Sequence, residues 1–89
     1  VAIGGSRTSQ HAKGEAADFE IPGVPNQEIW EYITTTNDLV YDQCIAEYLK
    51  KSDPAAGWIH VSYNRTRHNR RDAISCVRGK YLKGLHFED

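Results

Sequence analysis

The sequence predicts an α+β domain: a small antiparallel sheet with helix packing on one face and a groove of polar side chains on the other. Three stretches carry that prediction. Residues 16 to 21 alternate, with Ala17, Phe19 and Ile21 on one side and Ala16, Asp18 and Glu20 on the other, the period-two pattern of a half-buried strand. WIHVSY, residues 58 to 63, alternates in the same way, Ile59, Val61 and Tyr63 against Trp58, His60 and Ser62. Between them, Asn26 followed by Ile29, Trp30 and Ile33 marks one face of a short amphipathic helix.

The elements follow in chain order. Residues 1 to 14, with Gly4, Gly5 and Gly14 among Ser and Thr, have no apolar period and read as a loop. The strand from Ala16 ends where Pro22, Gly23 and Pro25 interrupt it. The helix runs to about Thr36, where threonines and Asn37 stop it. LVYDQCIAEYLKK, 39 to 51, fits a helical stripe through Tyr41, Cys44, Ile45, Tyr48 and Leu49, and equally a strand with Gln43, Ile45 and Glu47 on one face. SDPAAG, 52 to 57, is a turn. NRTRHNRRD, 64 to 72, reads as a basic polar loop, and 73 to 82 as a last strand interrupted at Gly79.

Composition narrows the function. Eighty-nine residues, 39% of them hydrophobic and 26% charged, build one domain around one core. A formal net charge of -1 gives no bulk attraction to nucleic acid or to an anionic membrane surface. No run approaches the roughly 18 apolar residues of a membrane span, and no apolar signal segment precedes the first motif. Cys44 and Cys76 lie far apart and outside any metal-type spacing, as expected of small buried hydrophobes and not of a disulfide or zinc pair.

One segment stands apart from this background. SQHAKGEAADFE, residues 9 to 20, places His11 seven positions before Asp18 in a stretch of small residues. A catalytic zinc takes three protein ligands and keeps one position for water, and His11, Asp18 and His60 would fill that set. Ala12, Gly14, Ala16 and Ala17 would let the loop fold back far enough for both ends to reach an ion at about 2 Å. A hydrolase also needs a base to move a proton from water to the leaving amine. Glu47 is the choice if residues 43 to 48 form a strand joined to 58 to 63, with Glu15, Glu20 and Asp42 as competitors. Taken singly, each residue has an ordinary alternative: a solvated loop histidine, a surface aspartate, a hydrogen-bonded strand histidine, an exposed glutamate. Arg65, Arg67, Arg70 and Arg71 ordinarily mark a solvated loop, and would otherwise bind phosphate or a carboxylate. His68 and His86 are not expected to be ligands.

The combination Ser9, His11, Gly14, Ala16 and Asp18, followed by Trp58, His60 and Ser62, resembles the zinc D-alanyl-D-alanine carboxypeptidase family of peptidoglycan peptidases, to which phage endolysins belong. YDQCIAE lies between the motifs as the family's F-D-Q-x-I-x-E segment does. The resemblance implies a hedgehog/DD-peptidase-like fold, Zn2+ on His11, Asp18 and His60, a strand over 43 to 48, and Glu47 as catalytic carboxylate. It departs at two places. The family's S-G-Y-R-type segment, whose arginine holds the substrate carboxylate, would precede residue 1, and Arg7 does not match it. Gly57 stands where some relatives carry an acid three residues before the last ligand. The expected function is hydrolysis of peptide bonds in peptidoglycan stem peptides, with Trp58 walling the groove and Ser9 or Gln10 hydrogen-bonding a ligand side chain or substrate. The alternatives are a non-catalytic zinc-containing binding domain of the same fold and, more weakly, a nucleic-acid module built on residues 65 to 71. The protein is expected to be a monomer made in the cytoplasm, without nucleic-acid or membrane partners, acting on the cell wall after lysis or from a virion.

Overall fold

The computed structural model describes residues 15–89. The elements are β1 (Ala16–Phe19), α1 (Asn26–Thr35), β2 (Gln43–Glu47), β3 (Trp58–Ser62), β4 (Asp72–Val77) and β5 (Lys80–Lys83). The five strands form one sheet in the order β1-β3-β2-β4-β5.

The ambiguous segment is a strand, and the hairpin it forms with β3 explains why. In the antiparallel β2–β3 register Cys44 faces Val61, Ala46 faces Ile59 and Glu47 faces Trp58. Cys44, Ala46 and Ile59 are buried together with Ile29 and Trp30 of α1, and with Tyr41 and Leu49. The apolar residues that suggested a helical stripe therefore belong to both sheet faces. Cys44 and Ala46 face the helix, while Ile45 joins Ile74 and Cys76 in a second, smaller cluster. A residue stripe can satisfy a helix and a two-sided strand at once, and tertiary packing decides between them. Trp30 fixes the helix on the sheet: its indole N–H donates to the carbonyls of Cys44 and Ile74, at 3.2 and 3.1 Å. Thr35 and Thr36 end the helix, their hydroxyls donating back to the carbonyls of Glu31 and Tyr32.

The sheet is mixed, which corrects the all-antiparallel expectation. β4 runs parallel to β2, Gln43 opposite Asp72 through Glu47 opposite Cys76. The cause lies in the basic loop. Asp42, just before β2, accepts hydrogen bonds from Arg70 Nε at 2.9 Å and Arg70 Nη2 at 2.7 Å. The Arg71 and Asp72 amides donate to the carbonyls of Tyr41 and Asp42. These ties make β4 start where β2 starts, and two strands with a common start run parallel. Arg70 and Arg71 are thus fastenings: the Arg71 guanidinium lies over the Tyr41 ring, 4.8 Å from its centroid, and donates to the carbonyls of Leu39 and Thr34. The expected single strand over 73 to 82 is a hairpin, with Arg78 and Gly79 both at positive φ between β4 and β5.

The chain after β5 turns back over the helix-bearing face. Leu85 and Phe87 pack against the main core, Ser75 Oγ donates to the Gly84 carbonyl, and the His86 amide donates to Ser75 Oγ. Both cysteines are buried and unbridged. The β2–β4 register puts them on opposite faces, since Cys44 pairs with Ala73 while Cys76 pairs with Glu47, and burial pushes the Cys44 thiol up to about 12. No helix among the described residues is long and apolar enough to cross a membrane.

Candidate metal centre

Register alone assembles the site. Asp18 of β1 lies directly opposite His60 of β3. His60 in turn lies opposite Ile45 of β2, two positions from Glu47. Strand residues two apart share a face, so Asp18, His60 and Glu47 emerge together on the face away from α1. Their donor atoms all lie within 4.8 Å of one another. Asp18 Oδ1 is 2.9 Å from His60 Nδ1, with the His60 side chain 14% exposed and that of Asp18 38% exposed. Ile45, Ile74 and Cys76, all buried, give this face an apolar patch beside the polar group.

Trp58 has a part that the sequence did not disclose. Expected as a groove wall, it also donates its indole N–H to Glu47 Oε2 at 3.2 Å. Its ring lies 5.5 Å from that of Tyr48, the planes tilted by 47°. Trp58 and Glu47 are direct cross-strand partners, so the contact was recoverable from the hairpin register once the pairing was fixed. One carboxylate oxygen of Glu47 is thereby oriented from the strand beside it.

Gly57 closes the same end of the hairpin. Its φ is +78°, and a Cβ built there would lie 2.1 Å from the Glu47 carbonyl oxygen and 2.8 Å from the Tyr48 carbonyl carbon. Backbone meets backbone at that point, and only glycine fits. The position at which some relatives carry an acid cannot hold any side chain in this chain.

The competitors for the role of base are placed differently. Asp42 is 2% exposed, and the Arg70 hydrogen bonds hold its carboxyl below the usual carboxylate range. Glu15 is 3.3 Å from Arg65 Nε. Glu20 lies past the end of β1, on the wall of a neighbouring cleft. His86 Nε2 lies 2.7 Å from the Lys83 carbonyl oxygen, near the start of the tail. His11, Ser9 and Gln10 lie outside the described residues.

The donor set fits a divalent zinc. The Asp18 carboxylate and the His60 imidazole are ligand types zinc accepts, with the Glu47 carboxylate beside them, and donors on a tetrahedral zinc are separated by roughly 3.3 Å. The Asp18–His60 distance of 2.9 Å and the 4.8 Å limit on the three-residue group bracket that spacing. A face that gathers an imidazole and two carboxylates within 4.8 Å of one another could hold a metal ion. The family profile described as Peptidase M15 matches residues 1–62, and the chain belongs to that peptidase family, whose members generally use zinc. The matched segment includes β1, α1, β2 and β3, and therefore all three residues of the cluster. Neither a curated protein nor a solved structure matches the chain.

Proposed function

We propose that this protein is a zinc metallopeptidase that hydrolyses peptide bonds in peptidoglycan stem peptides, with His11, Asp18 and His60 as metal ligands and Glu47 as general base. The observation that carries the proposal is the convergence of Asp18, His60 and Glu47 from three adjacent strands within a chain of the M15 peptidase family. Zinc held there would supply Lewis acidity, polarising the scissile carbonyl and lowering the pKa of water. Glu47 takes the proton from the attacking water and delivers it to the leaving amine. Trp58 keeps the Glu47 carboxylate turned toward the cluster through its indole N–H, and its ring walls the groove. Asp18 and His60 need little reorganisation to share a cation, because they already face one another across the β1–β3 pair. Ser9 and Gln10, two residues or fewer before His11, would hydrogen-bond a ligand side chain or the substrate. The site of action proposed is the bacterial cell wall.

The test is mass spectrometry of purified cell-wall fragments incubated with the protein, with and without a chelator. Stem-peptide cleavage that stops on chelation and returns with zinc is the expected result. Products that form regardless of chelator would exclude the mechanism, and zinc binding without any product would point to the non-catalytic binding domain.

A further inference from the structure

A cleft of about 920 Å³ opens beside the cluster, shares Asp18 with it, and is lined also by Trp58, the hydrogen-bond partner of Glu47. It is built by the turn after β1 and by the turn that precedes β3. Ile21, Pro22, Gly23 and Val24 form the first: the Val24 amide donates to the Ile21 carbonyl at 3.0 Å, and Gly23 takes φ +81° after a proline, the pattern of a type II turn. This turn leaves Ile21 and Val24 exposed on the cleft wall, at 46% and 38%, with Pro54 facing them from the second turn.

Besides Asp18 of the cluster, two carboxylates line this apolar cleft, Glu20 and Asp53, and among the described residues no lysine or arginine lines it. Among the described residues Glu20 makes no side-chain hydrogen bond or ion pair, while the Asp53 carboxylate accepts only the Ala55 amide at 3.0 Å. A buried acceptor belongs to the same wall. Asn26 is 1% exposed and gives its side-chain N–H groups to the Ala56 and Gly57 carbonyls at 3.1 and 3.2 Å, yet its Oδ1 has no donor among the described residues. A buried amide oxygen without a donor is costly unless something supplies an N–H.

Apolar walls, acceptors without donors and two negative charges describe a receptor for a long alkyl chain ending in an ammonium group. We infer that this cleft receives the amine-bearing side chain of a diamino acid in the substrate peptide, and that Glu20 and Asp53 set a preference for its free, cationic form. This rests on the peptidase function proposed above, because stem peptides carry such a residue. Its amine is free in uncross-linked stems and acylated in cross-linked ones, so the cleft selects uncross-linked chains.

The test uses two synthetic stem peptides that differ only at the diamino position, L-lysine in one and Nε-acetyl-lysine in the other. Each is titrated into the zinc-loaded Glu47→Gln chain, and tryptophan fluorescence is read, Trp58 lining the cleft while Trp30 is buried. The lysine peptide is expected to bind at least about fivefold more tightly, a ratio that two partly exposed ion pairs can supply. The ratio should shrink in high salt and approach one in the Glu20→Gln, Asp53→Asn double variant. Equal affinities in the chain with both carboxylates, or no saturable binding of either peptide, overturn the inference. Cleavage by the native zinc-loaded chain separates the two claims. Cleavage with equal affinities leaves a peptidase without this specificity, whereas unequal affinities without cleavage leave the cleft and remove the peptidase.

Discussion

The two faces of the sheet are built from the same strands by opposite rules. On the helix face Cys44, Ala46 and Ile59 are covered by Ile29 and Trp30, and the tail adds Leu85 and Phe87. The polar atoms there are committed, as with the Trp30 N–H and its two carbonyls. On the other face Asp18, His60 and Glu47 project beside a small apolar patch, where His60 meets Asp18 and Glu47 meets Trp58. The first face carries the main core, and the second, with only a small apolar cluster of its own, holds polar groups within 4.8 Å of one another. Chemistry and stability are therefore separable by mutation.

The largest effect expected on the chemical face is that of Glu47→Gln, which keeps the shape and a hydrogen-bonding group but removes the proposed base. Turnover of muropeptides should fall about a thousandfold, roughly 4 kcal/mol of barrier, while the melting temperature and zinc content, measured by calorimetry and metal analysis, stay near those of the native chain. Unchanged turnover would remove Glu47 from the mechanism. Gly57→Ala should breach the separation, since its Cβ meets backbone on β2. It is expected to cost at least about 3 kcal/mol in chemical denaturation, from overpacking added to a positive φ, and to displace Glu47 as well.

Asp42→Asn addresses the fastening between β2 and β4 and should cost about 1–2 kcal/mol, since the partly exposed Arg70 can turn to solvent. Its pH dependence has a definite sign. Arg70 lowers the folded-state pKa of Asp42 below its unfolded value of 3.8, so the contribution is complete above that pH and is lost as pH falls through the lower folded value. Stability measured between about pH 5 and pH 2 should therefore drop more steeply for the native chain than for Asp42→Asn. Equal slopes would show that the pair adds nothing. The smallest expected effect is that of Trp58→Phe, which keeps a ring in the groove but loses the N–H to Glu47. The loss of one hydrogen bond to a charged group predicts about a tenfold fall in kcat with little change in stability.

Much of the chemical face was legible because strand periodicity assigns faces. Once Asp18 and His60 were placed on the outward sides of two alternating stretches, antiparallel pairing could bring them together. The position of Glu47 depended on choosing a strand for residues 43 to 48, which the residue pattern left open and the family resemblance favoured. Strand direction was not legible. A period of two is the same for parallel and antiparallel pairs, and what made β4 parallel was a long-range tie from Arg70 to Asp42 within a loop that looked merely basic. The tail was also missed, because Leu85 and Phe87 lie among charged residues with no period to mark them. The roles expected of His11, Ser9 and Gln10 fall outside the described residues.

The tight approach at Gly57 also constrains how this lineage could change. An acid cannot be introduced there by substitution alone, since any side chain would strike the neighbouring peptide. Moving an acid from residue 47 to residue 57 would require rebuilding the connection between β2 and β3. A side chain at residue 57 without that rebuilding would carry the destabilisation expected of Gly57→Ala.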